Sequence, residues 1–146
     1  MTTSLQKLFI RDIDRLIKEV ELYPDDQALW IKPEGINNSA GTLALHLVGN
    51  LNYFIGSVLG HTGYVRDRDA EFNDRDTPKS EILEQLMVTR SMLSKSLKRV
   101  SDAQLNTHYP LEVFGEPMST GEFLIHLQGH LNYHLGQVNY HRRLLT

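Results

Sequence analysis

Apolar residues recur every three or four positions over four long stretches of the chain. In the first, at about residues 4–23, Leu5, Leu8, Phe9, Ile13, Leu16, Ile17 and Val20 fall on one helical face. Pro24-Asp25-Asp26 ends it. "ALWIKPEGINNSAG" is rich in helix breakers, with Asn38 or Ser39 placed to cap the next helix. That second helix, about 40–59, is apolar almost all round and should lie deep in the fold. After a charged connection, Thr77 and Pro78 supply an N-cap and a first-turn proline. The third helix then runs to about residue 100 on Ile82, Leu83, Leu86, Leu93 and Leu97. "SDAQLNT" predicts one short turn from Ser101. "HYPLEVFGEPMST" resists helix formation and offers Leu111, Val113 and Phe114 as a short extended piece. Ser119 to Glu122 reads as a capping box opening the last helix. The expected fold is all-α, a four-helix bundle with a short non-helical segment before the last helix.

Two of these helices carry one pattern. "HLVGNLNYFIGSV" (46–58) and "HLQGHLNYHLGQV" (126–138) share the frame H-L-x-G-x-L-N-Y-x-x-G-x-V. Two related hairpins packed about a pseudo-twofold axis would account for the repeat. The copies differ where His46, Asn50 and Phe54 of one face His126, His130 and His134 of the other. Glycines recur at 49 and 56, and at 129 and 136. Each costs about 1 kcal/mol against alanine within a helix, so close packing is expected at all four.

The histidines carry the candidate chemistry. On a helix, residues four apart rise about 6 Å and residues eight apart about 12 Å. Imidazole nitrogens sit about 2.0–2.1 Å from a first-row metal, so two of them on one ion lie only ~3–4 Å apart. An i, i+4 pair can therefore share an ion and an i, i+8 pair cannot. The pairs open to this are His126/His130 and His130/His134. A third ligand must come from another helix, and His46, inside the most apolar one, is the natural choice. His61 and His108 fall in loops. His141, beside Arg142 and Arg143 in the last turn, reads as a solvated residue. No H-E-x-x-H, Glu-x-x-His, phosphate loop or G-x-S-x-G elbow competes.

Composition narrows the classes. A chain of 146 residues, 40% apolar and 23% charged, reads as one globular domain over 1–146. Net charge −3 lacks the basic footprint of a nucleic-acid binder. With no cysteine, a metal site must use His, Asp or Glu. The charge-laced N-terminal region lacks a signal peptide's apolar core, and no stretch reaches the roughly 18 apolar residues of a membrane span. A soluble cytoplasmic protein with no membrane partner is expected. "RDRDAEFNDRD" (66–76) is not an EF-hand, because Phe72 and Pro78 stand where glycine and glutamate are required. It reads as a solvated, salt-bridged loop suited to a dimer contact. The sharper alternative has Arg66 or Arg68 reaching over a pocket to hold an anionic cosubstrate.

"LALHLVGNL" and "HLNYHLGQV" resemble the DinB-like superfamily, which includes the YfiT-type proteins. "HLVGNLNYFIGSVLG" followed by "VRDRDAEF" looks like one branch of small bacterial proteins, and the similarity covers nearly the whole chain. The resemblance implies an up-down-down-up bundle holding a divalent metal ion, usually nickel or zinc. Its three-histidine pattern carries onto His46, His130 and His134, with His126 one turn outside the ligands. Some relatives are transferases of low-molecular-weight thiols such as bacillithiol or mycothiol. The implied activity is metal-dependent transfer of such a thiol to an electrophile, in a homodimer. Metal-dependent hydrolysis, or a non-catalytic metal-stabilised or ligand-binding stress-associated bundle, are the alternatives. No nucleophile or general base accompanies the histidines, so no catalytic residue is assigned. Asn50, His126, Tyr133, Gln137, Arg66 and Arg68 are the residues expected to support the ligands or line the pocket.

Overall fold

A computed structural model describes residues 1–145. Helix α1 (Thr2–Glu21) buries Leu5, Phe9, Ile13, Leu16 and Val20, the face its periodicity predicts. The breaker-rich connection contains a short helix, α2 (Asp26–Trp30), because the Asp25 carboxylate accepts from the Ala28 amide at 2.9 Å. Ser39 then caps α3 (Ala40–Leu51), every residue of which is buried. Helix α3 continues into a π-helical stretch, Asn52–Ser57. Helix α4 (Arg68–Asn73), α5 (Lys79–Lys98), α6 (Asp102–Leu105) and α7 (Thr120–Leu145) complete the order. Helix α1 packs on α5 and α7, and α3 packs on the same two from the other side. The core is thus enclosed by four long helices. Among the described residues no helix is long and apolar enough to cross a membrane.

Several local expectations need correction. Thr77 is not the N-cap: helix α5 starts at Lys79 with Pro78 in the cap position, and its first amide donates to Asp26 Oδ1 at 2.9 Å. Leu111, Val113 and Phe114 lie in a bend and a turn, and extended pairing is confined to His108 with Ser119 at the base of that loop. The charged stretch 66–76 is not a solvated loop throughout. Asp67 caps Ala70 at 3.0 Å, α4 forms, and Glu71 turns inward.

His141 is buried rather than solvated. Its Nε2–H donates to the Ile31 carbonyl (2.7 Å), which leaves Nδ1 to accept from the Tyr23 hydroxyl (2.6 Å). The long α2 connection folds back over the end of α7 and supplies the acceptor that an exposed last turn would lack.

The repeat is kept in part. Asn52 and Asn132, the shared asparagines, both tie their helices to a neighbour, through Thr89 Oγ1 (2.8 Å) and Asp12 Oδ2 (3.0 Å). Their surroundings differ: "LNYHLGQV" stays α-helical, whereas "NYFIGS" widens into the π turn. The Tyr109 hydroxyl donates to the Phe54 carbonyl at 2.7 Å, satisfying an acceptor in the widened turn. Close packing explains only two of the four repeated glycines. A Cβ on Gly49 would strike Glu71 and one on Gly56 would press on Met92, while Gly129 and Gly136 face open space on the outer side of α7.

Candidate metal centre

Helices α3 and α7 bring three imidazoles to one point. His46 Nε2 lies 3.2 Å from His130 Nε2, which lies 3.1 Å from His134 Nε2. The three ligand atoms fall within 4.8 Å of one another. These are the separations that bonds of about 2.0–2.1 Å to a common ion produce. In the π-helical continuation of α3, Phe54 meets Phe123, which precedes His130 on α7, so the two helices run in opposite directions past the site. His130 and His134 project from successive turns of α7, and His46 closes the set from across the interface.

The far sides of two rings fix which nitrogen is free. His46 Nδ1–H donates to Glu71 Oε1 at 3.1 Å, so its Nε2 presents a lone pair. His134 Nδ1–H donates to Gln137 Oε1 at 2.6 Å, with the same result. His130 lies between two lone pairs, and its own Nδ1 is buried without a partner. Three Nε2 atoms thus converge with only one ring able to carry a proton toward the other two. A cation suits that arrangement better than a proton.

Glu71 is the residue sequence reasoning missed. It comes from α4 and packs against the bare backbone of Gly49, three positions after His46. Arg66 forks onto it, Nε to Oε2 at 2.8 Å and Nη2 to Oε1 at 2.9 Å. Burial opposes ionisation of Glu71, yet hydrogen bonds from His46 and Arg66 outweigh it and hold the carboxyl below its usual range. An available signal was Asp67 three residues before Ala70-Glu71-Phe72, a helix start that turns position 71 toward the bundle. Burial first, then the neighbouring imidazoles His134 and His46, pushes His130 down to about 4. Burial also lowers His134, against the opposing bond to Gln137. Both rings are held neutral near pH 7, the form that binds a metal.

The remaining candidates separate clearly. Asn50 is buried on α3 and its Oδ1 has no partner. His126 is exposed, stacks on Phe123 and meets Phe114 edge-on, with its ring centroid 6.3 Å from that of His130. Tyr133 is 66% exposed and touches His134 only ring to ring. Arg66 is committed to Glu71 and lies over the Phe54 ring, so it supports His46 from behind instead of reaching over a pocket. Arg68 is exposed over Phe72. A cleft of about 420 Å³ opens beside His134, lined by Gln137, Leu43, Ile36, Asn37 and Asn38.

Fold and site together define a class: helical bundles with a three-histidine cluster shared by two helices. The chain belongs to the DinB superfamily, whose family model matches residues 8–138. It is also similar to the crystal structure of a DinB-like protein from Bacillus cereus ATCC 10987, with a TM-score of 0.77 at 18% sequence identity. That match covers 97% of this chain and 90% of the other, and at such identity it speaks for the fold alone. A comparison with curated proteins gave no match.

Proposed function

We propose that the chain is a metal-dependent enzyme that holds a divalent ion, zinc or nickel, through Nε2 of His46, His130 and His134. The activity it supports is transfer of a low-molecular-weight thiol to an electrophile. The carrying observation is the convergence of three Nε2 atoms, two of them fixed as lone-pair donors by Glu71 and Gln137. Three protein donors are one fewer than the four that close a structural zinc site. When bound, such an ion supplies Lewis acidity that favours the thiolate form of a coordinated thiol.

The protein's own residues do the rest. His130 and His134 are kept neutral by burial, so protons compete weakly for the donor set. The cleft beside His134 is bounded by amide and apolar side chains together with Tyr140 and His141, and it can seat the organic part of a substrate next to the ligands. Both oxygens of Glu71 are engaged by His46 and Arg66. This carboxylate is therefore not free to take a proton from water, which favours thiol chemistry over hydrolysis.

Elemental analysis of purified protein, wild type against His130→Ala, tests the metal; stoichiometric zinc or nickel is expected in the wild type only. Incubating the loaded protein with low-molecular-weight thiols and an arylating electrophile tests the transfer. Conjugation no faster than with His46→Ala would reject the activity and leave a non-catalytic bundle.

A further inference from the structure

Among the described residues, two buried side-chain polar atoms have no hydrogen-bond partner: Asn50 Oδ1 and His130 Nδ1. Such orphans are rare, because a buried polar atom that gives up water without gaining a partner is left with the full cost of its desolvation. These two are complementary. An amide oxygen can only accept. A His130 ring that commits its Nε2 lone pair to an ion must carry its proton on Nδ1, where it can only donate.

The register of the helices sets them at one level. His46 meets His130 and His134 on α7, and Phe54, in the π-helical stretch that continues α3, meets Phe123. Asn50 stands midway between His46 and Phe54, so it falls opposite the stretch of α7 that contains His130. The repeat leads to the same place, since positions 50 and 130 are equivalent in the shared frame. With the helices opposed, the meeting of His46 and His134 carries Asn50, four residues on, to the level of His130, four residues back. Asn50 is only 7% exposed, so its carboxamide is spent inside the bundle. The other two rings set the precedent, each passing an Nδ1 proton to a side-chain oxygen. His130 alone lacks that acceptor.

We propose that Asn50 is the positioning residue for His130. Its Oδ1 accepts the Nδ1 proton, directly or across one buried water, once Nε2 of His130 is committed to the metal. This rests on the three-histidine metal site proposed for the chain. It completes a set in which each ligand ring has its own outer acceptor: Glu71 for His46, Gln137 for His134 and Asn50 for His130. Only one of the three is charged, so the protein adds a single negative charge through them.

The test is zinc binding by competition titration, together with ¹⁵N-edited NMR of the histidine rings in the zinc-loaded full chain. In the wild type, all three rings should show zinc on Nε2 and a proton on Nδ1, with the His130 proton exchanging slowly. Asn50→Leu keeps the volume and removes the acceptor. It should raise the zinc Kd about 10- to 100-fold and expose the His130 Nδ1 proton to fast exchange, with the His46 and His134 signals retained. Asn50→Asp should restore binding to wild-type strength or tighter and move the His130 proton downfield. Unchanged Kd and an unchanged His130 proton in Asn50→Leu would overturn the assignment. If that variant does not fold, Asn50→Asp decides alone, and indifference of both readouts overturns it. A wild type that binds neither zinc nor nickel would sink the metal site and this assignment together; a wild type that binds while Asn50 is silent sinks only the assignment.

Discussion

Glu71 occupies the space that a side chain on Gly49 would need. A Cβ built on Gly49 overlaps the Glu71 carboxylate, the same group that accepts the His46 Nδ1 proton. The glycine in "HLVGN" is therefore part of the site, although it touches no ligand atom. Gly49→Ala should push Glu71 away from His46 and weaken zinc binding about 10- to 100-fold, in the manner of losing an outer hydrogen-bond partner. Gly129→Ala, at the equivalent repeat position with open space around it, should leave binding unchanged and stabilise α7 by up to about 1 kcal/mol. Competition titration and thermal melts of the two variants check the contrast.

Arg66 and Glu71 form a forked ion pair in which both side chains are largely removed from water, at 13% and 6% exposure. Removing one partner from such a pair strands the other charge and typically costs about 3–5 kcal/mol. Glu71→Ala should approach that loss in a denaturant titration and also weaken zinc binding. Glu71→Gln keeps a carbonyl acceptor for His46 Nδ1 and should fall between alanine and wild type in both measurements. Arg66→Met with Glu71→Gln should recover much of the stability, since neither charge is then left alone. A double variant no more stable than Glu71→Ala would show that a stranded Arg66 charge is not the source of the loss.

Acid should unfold the metal-free protein through the site itself. The folded state holds His130 down to about 4 and lowers His134, in both cases first through burial. The unfolded chain takes up those protons near pH 6.5, so it binds more protons than the native state in the interval between. The stability these rings contribute is complete above about pH 6.5 and is lost as the pH falls toward 4. Thermal midpoints of metal-free protein should drop across that window. His130→Phe should flatten the slope, and an equal slope in wild type and variant would refute the assignment.

Much of this was legible in the sequence, for physical reasons that also mark where legibility ended. The stripes of α1 and α5 and the all-round apolarity of α3 could be read because periodicity is local. The choice between His126 and His134 could be narrowed but not made by spacing, since both stand four residues from His130. Glu71 was hidden because its role depends on α4 folding back onto Gly49, a long-range contact inside a segment whose charge suggested solvation. His141 was misread for the same reason: its partners, Tyr23 and Ile31, lie more than a hundred residues away in sequence. The π turn at Asn52–Ser57 left no trace in a pattern shared with a regular helix.

Tyr23 and His141 supply a prediction independent of the metal. The Tyr23 hydroxyl sits 2.6 Å from His141 Nδ1 and 3.1 Å from the Val138 carbonyl, joining the end of α1 to the end of α7. Tyr23→Phe keeps the ring and strands the imidazole nitrogen in a buried place, which should cost about 1–3 kcal/mol. Zinc affinity should not move. A denaturant titration beside a zinc titration separates the two effects.

The two i, i+4 pairs of α7 can be told apart by removing each outer member. His126 stacks on Phe123 with its ring exposed, while His134 aims Nε2 at His130 and is held there by Gln137. His134→Ala should abolish stoichiometric zinc, and His126→Ala should leave both stoichiometry and Kd near wild type. Gln137→Leu should fall between them, since it frees the His134 ring to rotate without removing the donor; the loss expected is again about 10- to 100-fold. The decisive outcome is the reverse order. Zinc lost with His126→Ala and kept with His134→Ala would move the ion to the other pair, and His46, whose Nε2 lies 3.2 Å from His130 Nε2, would have to shift with it along the helix.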